Sequence, residues 1–139
     1  MKKKIFLIIS SIEKGGTQKN IIDLFNHWGK KGHDIKIITF DKNVGCLDPA
    51  VKKNFINLNL KKNSNNFFQS VFNNFKRIYK LRKVFKNNQY NYIFSFISTT
   101  NILTIIANIG LKNKLIICER NDVEFQNIPK LWRILRKIF

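Results

Sequence analysis

The distribution of apolar positions divides the chain into short runs and longer periodic segments that alternate. Ile5–Ile9 is wholly apolar and rich in β-branched residues, and it ends at Ser10-Ser11. Such a run reads as a strand buried on both faces, the signature of a parallel sheet. After Gly15-Gly16, with Thr17 as the expected N-cap, Ile21, Ile22, Leu24, Phe25 and Trp28 recur at helical spacing. Gly32 stands where a helix C-terminal glycine belongs, and Ile35–Phe40 follows as a second strand. The segment from Asp41 to Pro49 reads as a loop, and Phe55–Leu60 as a third strand. The spacing then predicts a helix from Phe67 to Lys86, a strand at Tyr92–Phe96, and an apolar helix capped by Ser98, Thr99 or Thr100 and ending at Gly110. Leu115–Cys118 is a fifth strand. Pro129 opens a last helix with Leu131, Ile134, Leu135 and Ile138 on one face.

Strands and helices in alternation, with short apolar strands, predict an α/β fold built on a doubly wound parallel sheet, Rossmann-like, as one domain over residues 1–139. The length suffices for a core without metals or disulfides, and 44% hydrophobic with 13% aromatic residues agrees with that. Cys46 and Cys118 form no framework, so a reducing, cytoplasmic compartment is expected. The apolar run after Lys2-Lys3-Lys4 is shorter than a signal peptide requires, and no stretch approaches a membrane-spanning length.

Charge changes the picture. The net charge is +18, and the eight acidic residues leave the whole interval from Pro49 to Cys118 without one. A basic face meeting phosphate or anionic lipid is one reading, and a solvated surface enriched in lysine by codon bias is the other. Within Phe67–Lys86, Lys76, Arg77, Lys80 and Lys83 fall on one arc, while Phe68, Val71, Phe72, Phe75, Ile78 and Tyr79 fall on another. That helix is either an interfacial element on an anionic membrane or a helix whose apolar face covers the sheet. No DNA- or RNA-binding motif accompanies the charge, so nucleic acid is not an expected partner.

Two further places offer chemistry. Gly15, Gly16 and Thr17 lie between the first strand and helix, where ligands of open α/β sheets bind, although a plain turn explains the glycines equally well. Glu119-Arg120-Asn121-Asp122 crowds charge at the end of the fifth strand, with local ion pairing as the alternative. His27 and His33 join no catalytic or metal-binding set, and no metal or cofactor is expected.

Read in order, Ile9-Ser10-Ser11-Ile12-Glu13-Lys14-Gly15-Gly16-Thr17-Gln18-Lys19, Lys31-Gly32-His33-Asp34-Ile35 and Ile38-Thr39-Phe40-Asp41 resemble the opening of glycosyltransferase family four. Phe94-Ser95-Phe96-Ile97-Ser98-Thr99-Thr100-Asn101 and Ile116-Ile117-Cys118-Glu119-Arg120-Asn121-Asp122 are similar to the branch that builds lipid-linked glycans. Within it the best match is to N-acetylgalactosamine transferases acting on polyprenyl-diphosphate-linked oligosaccharides.

The resemblance implies one half of a GT-B fold, the N-terminal acceptor domain of a retaining transferase. A second domain of such an enzyme holds the nucleotide sugar (UDP-linked) and a Glu-x7-Glu motif, which these residues lack. It implies that Gly15, Gly16 and Thr17 lie by the donor diphosphate, and that Ser98, Thr99, Thr100, Asn101, Glu119, Arg120 and Asn121 line the acceptor side. Lys76, Arg77, Lys80 and Lys83 would meet the membrane or a lipid pyrophosphate. Implied partners are a lipid-linked glycan, the anionic inner-membrane surface on its cytoplasmic side, and a separate chain supplying the donor domain. Two departures stand out: Thr17-Gln18-Lys19 replaces the usual Ala-Glu-Arg, and no histidine follows the fourth strand. The expectation is a chain inactive alone, with a non-catalytic module for anionic lipid or polyprenyl diphosphate as the alternative.

Overall fold

The computed structural model describes residues 1–12, 15–41, 49–60, 66–119 and 130–138. Its elements run β1 (Lys4–Ile9), α1 (Gly16–Lys30), β2 (Asp34–Thr39), α2 (Pro49–Lys52), β3 (Phe55–Asn57), α3 (Phe67–Asn87), β4 (Tyr92–Phe96), α4 (Ser98–Asn108), β5 (Lys114–Cys118) and α5 (Lys130–Ile138). All strands are parallel, in the order β3-β2-β1-β4-β5. The expected Rossmann-like α/β architecture is therefore what the chain forms.

β1 lies at the centre of the sheet, and Leu7 sits in register with Ile37 of β2 and Phe94 of β4. Its side chains alternate between two cores. Phe6 and Ile8 join Ile38, Leu81, Phe85, Ile93, Leu103 and Ala107 under α3 and α4. Ile5, Leu7 and Ile9 join Ile21, Ile35, Ile37 and Phe96 under α1. Burial on both faces is why this strand is wholly apolar instead of alternating. Phe6, Leu7, Ile8 and Ile9 are completely buried, and each contributes about 1.5–3 kcal/mol relative to an exposed position. The Phe6 ring also stacks on Tyr90, centroids 3.5 Å apart.

Gly32 has φ of 81°, and Gly110, two residues past α4, has φ of 72°, so both helices leave through left-handed glycines as expected. Arg82 closes the end of α4 from outside, its Nη1 donating to the carbonyls of Ala107 and Ile109 at 3.1 and 2.6 Å.

Several local expectations are corrected. Helix α1 starts at Gly16 with Gly15 in the cap position, so Thr17 lies inside the first turn and caps nothing. Helix α4 begins at Ser98 with Ile97 as the cap residue and no side-chain cap, because strand β4 runs into it without a linker. A short helix, α2, stands at the end of the segment read as loop, and regular strand β3 ends at Asn57, although Leu58 and Leu60 still donate their N–H groups to the Thr39 and Phe40 carbonyls. On α5, Trp132 packs against the core while Ile134 is exposed, which turns the helix away from the face expected of it. Pro129 and residues 42–48 lie outside the described residues.

Candidate functional site at the switch point of the sheet

The strand order reverses between β1 and β4, and a crevice at the carboxyl ends of these strands is where open α/β sheets bind ligands. A cleft of about 210 Å³ opens there on the α3/α4 side. Ser10 and Ser11 after β1, Arg77 of α3, Thr99 and Thr100 of α4, and Trp132 of α5 line it.

The wall formed by α4 is set by a strained connection. Ile97 has φ of 75°, a conformation that β-branched residues avoid and that costs on the order of 1–3 kcal/mol. The bend lets β4 pass into α4 at once, so that Ser98, Thr99 and Thr100 form the first helical turn at the sheet's edge. Beneath them Ser95 Oγ donates to Thr104 Oγ1 at 3.1 Å, and Thr104 Oγ1 donates to the Thr100 carbonyl at 2.8 Å. This buried polar ladder pins α4 to β4. Asn101 Nδ2 reaches the Cys118 carbonyl at 3.4 Å, and Ser98 Oγ donates to Glu119 Oε2 at 2.8 Å. The residues read as the acceptor side thus meet at the ends of β4 and β5, apart from Arg120 and Asn121, which lie outside the described residues.

Gly15, Gly16 and Thr17 start α1 at the carboxyl end of β1 and are not among the walls of the cleft. Neither glycine has a backbone conformation that demands glycine: Gly15 is extended, and a Cβ on Gly16 would meet nothing within 4 Å. A Cβ on Gly15 would meet only the movable amide end of Gln18.

The basic arc of α3 is divided. Arg77 faces inward, donating from Nη1 to Asn74 Oδ1 at 2.8 Å and from Nη2 to the Leu60 carbonyl at 3.3 Å, with its guanidinium 5.7 Å from the Phe40 ring. Burial pushes its pKa below the usual arginine value. Membership of the outward basic face is therefore corrected for Arg77, because α3 turns Leu81, Phe85 and Ile78 to the core and carries Arg77 with them. Lys76, Lys80 and Lys83 stay exposed. Phe68, Phe72, Phe75 and Tyr79 form a second apolar stripe, spaced at 4, 3 and 4 residues, that faces away from the sheet and is 59–85% exposed. The Lys76 ammonium lies over the Phe72 ring, 4.3 Å from its centroid. Residues Asn59, Leu60, Phe72, Phe75, Lys76 and Tyr79 border a shallow depression on this side. Spacing alone did not expose Arg77 as a cleft residue, and its only sequence signal was being the first arginine in a lysine-rich chain.

Among the described residues no group of histidine, cysteine and acidic side chains is placed to hold a metal, and no helix is long and apolar enough to cross a membrane.

The fold is that of a Rossmann-like α/β domain with a cleft, the candidate site, at the switch point. Comparison with known proteins narrows the class. The chain is 32% identical over 137 residues, 97% of its length, to the GalNAc-alpha-(1->4)-GalNAc-alpha-(1->3)-diNAcBac-PP-undecaprenol alpha-1,4-N-acetyl-D-galactosaminyltransferase of Campylobacter jejuni, and it spans 37% of that protein. It is thus a homologue, over one part, of a glycosyltransferase acting on a polyprenyl-linked glycan. Among solved structures, a glycosyltransferase from Rickettsia africae superimposes with a TM-score of 0.68 at 17% identity, over 96% of this chain and 33% of that one. The UDP-GlcNAc 2-epimerase of Methanocaldococcus jannaschii gives 0.58 at 17% identity, over 99% of this chain and 37% of that one. These two likenesses show a shared α/β fold. No family model matches the chain.

Proposed function

We propose that these 139 residues are the acceptor-binding half of a retaining, GT-B-type transferase of glycosyltransferase family four, which moves a sugar from a nucleotide-sugar donor to a lipid-linked or surface glycan. The observation that carries this is the match, over 97% of this chain and 37% of the relative, to a transferase acting on an undecaprenyl-diphosphate-linked glycan. The ends of β4 and β5 support it, since buried Ser98 holds the exposed Glu119 carboxylate where acceptor hydroxyls can donate to it. Thr99, Thr100 and Asn101 continue that acceptor wall, with Arg120 and Asn121 assigned to it by the resemblance. Gly15, Gly16 and Thr17 present the uncapped start of α1 to the donor diphosphate.

Departure of the diphosphate needs stabilising groups on both sides of the cleft. These residues supply one side, and a donor domain, in cis or from a separate chain, supplies the other. The 139-residue chain alone then transfers no sugar. The test mixes it with the remaining portion of the Campylobacter relative and follows release of UDP on an undecaprenyl-diphosphate oligosaccharide. Turnover only in the mixture supports the reading. Turnover by the purified chain alone, or none in a correctly folded mixture, overturns it.

A second reading rests on a different observation, the exposed aromatic stripe of α3 with Lys76, Lys80 and Lys83 beside it. An apolar stripe bordered by cations suits the interface of an anionic membrane, where rings insert and ammonium groups meet headgroup phosphates. On this reading the chain works peripherally at the cytoplasmic membrane face, either as part of the transferase or as a lipid-binding module without catalysis.

A further inference from the structure

Arg77 is a half-buried cation without a counter-ion among the described residues. Its two visible partners, Asn74 Oδ1 and the Leu60 carbonyl, are neutral, and its Nε is buried with no hydrogen-bond partner. Across the cleft, Thr100 is 1% exposed and its Oγ1 is likewise buried without a partner. A buried hydroxyl left unpaired costs about 1–3 kcal/mol, so both walls present groups still short of an acceptor or donor. The first turn of α4, which no side chain caps, adds N–H groups at the same wall. Asp41, the buried carboxylate just past β2, accepts from Ser11 Oγ at 3.4 Å and is not a wall of the cleft.

We infer that this cleft binds a phosphate-class anion, with the half-buried Arg77 guanidinium and the buried Thr100 hydroxyl as its anchors. A guanidinium held in a fixed plane matches phosphate oxygens with two parallel donors, which a lysine cannot do. Sites for drug-sized ligands run to roughly 300–1,000 Å³. The cleft, at about 210 Å³, suits a phosphate or diphosphate group in preference to an entire sugar nucleotide. The inference deepens the glycosyltransferase reading, which already sets Arg77 among the lipid-pyrophosphate contacts, by moving the phosphate from the outer face of α3 into the cleft. Binding of the free anion is read without turnover, so it can fail while the transferase reading stands.

The test is calorimetric titration and thermal melting of the 139-residue chain with inorganic phosphate and with inorganic diphosphate. Vesicles containing phosphatidic acid provide a second arm. Arg77→Met is expected to weaken diphosphate binding at least about tenfold, the scale of one charge-assisted pair. Thr100→Val is expected to weaken it several-fold while its ligand-free melting temperature stays level or rises, because the unpaired hydroxyl is gone. The triple variant Lys76→Gln, Lys80→Gln, Lys83→Gln marks the rival site: free-diphosphate binding lost there and kept in both cleft variants assigns the anion to the outer lysines. Arg77 dependence with the free anions assigns a soluble phosphate group. The same dependence seen only on vesicles assigns a lipid headgroup. Unchanged affinity in both cleft variants, or loss confined to the lysine variant, overturns the inference. Should Arg77→Met fail to fold, Thr100→Val decides the question alone.

Discussion

The Ser98 hydroxyl donates to Glu119 Oε2 at 2.8 Å, joining the first residue of α4 to the residue just after β5. Ser98 is 2% exposed, whereas Glu119 is open to solvent, so a rigid donor orients a carboxylate that an incoming hydroxyl can reach. Residues 21 positions apart become one unit because β4 and β5 are adjacent and parallel.

Removing that donor separates positioning from stability. Ser98→Ala is expected to cost about 1 kcal/mol, below the range of about 1.5–3 kcal/mol for hydrogen bonds to charged groups because Glu119 is exposed. For a domain of this size that lowers the melting temperature by roughly 3 °C. In a reconstituted transferase, Glu119→Gln should raise the KM for the acceptor with little change in melting temperature. Equal KM values for parent and Glu119→Gln would remove Glu119 from the acceptor side.

At Gly16 the steric space is open, and the position is inside the first turn of a helix. Gly16→Ala is therefore expected to stabilise the chain by about 0.5–1 kcal/mol, the helical preference of alanine over glycine. If the loop faces a donor diphosphate, the same variant loses turnover in the reconstituted enzyme. A more stable and fully active variant would make the loop a plain turn.

Tyr90 gives the domain an alkaline limit. Burial against Phe6, aided by the negative charge of Asp34, raises its pKa from 10 to about 12. The folded state thus holds the phenol proton more tightly than the unfolded state. The sign follows: this stabilisation is complete below pH 10 and is lost as pH rises from 10 towards 12. Urea unfolding of Tyr90→Phe should show a flatter decline over that interval than the parent. Parallel declines would mean that lysine titration, and not Tyr90, sets the limit.

The outer face of α3 is tested on vesicles. Each cation near an anionic surface contributes about 1 kcal/mol, so Lys76→Gln, Lys80→Gln and Lys83→Gln together should weaken partitioning to anionic vesicles about a hundredfold. Salt should weaken the parent's binding in the same direction. Phe72→Ser with Phe75→Ser should abolish the part of binding that resists salt. Identical co-sedimentation of parent and lysine variant would leave the charge a solvated surface without a membrane role.

Much of the fold could be read directly. The apolar run at Ile5–Ile9, the recurrence of Ile21, Leu24, Phe25 and Trp28, and Gly32 at the end of α1 all follow local rules, and each element stands where those rules put it. Short-range details failed where two local signals competed. Thr17 looks like a cap, but the two preceding glycines let the helix begin two residues earlier. Ser98 to Thr100 look like caps, but the bend at Ile97 absorbs them into the helix.

The amino-acid pattern by itself determined an alternating α/β chain, its parallel sheet, and a cluster of polar residues at the ends of particular strands. Period and glycine placement are local properties, set by backbone sterics and by how many faces of an element are buried. Which residues share a site was decided only by the tertiary structure. Helix α3 carries two apolar stripes, Ile78-Leu81-Phe85 and Phe68-Phe72-Phe75-Tyr79, and periodicity cannot say which one meets the sheet. Packing against Phe6, Ile93 and Leu103 selects the first, and that choice leaves the aromatic stripe outside. The same rotation brings Arg77, separated from Thr100 by 23 positions in sequence, to the opposite wall of one cleft.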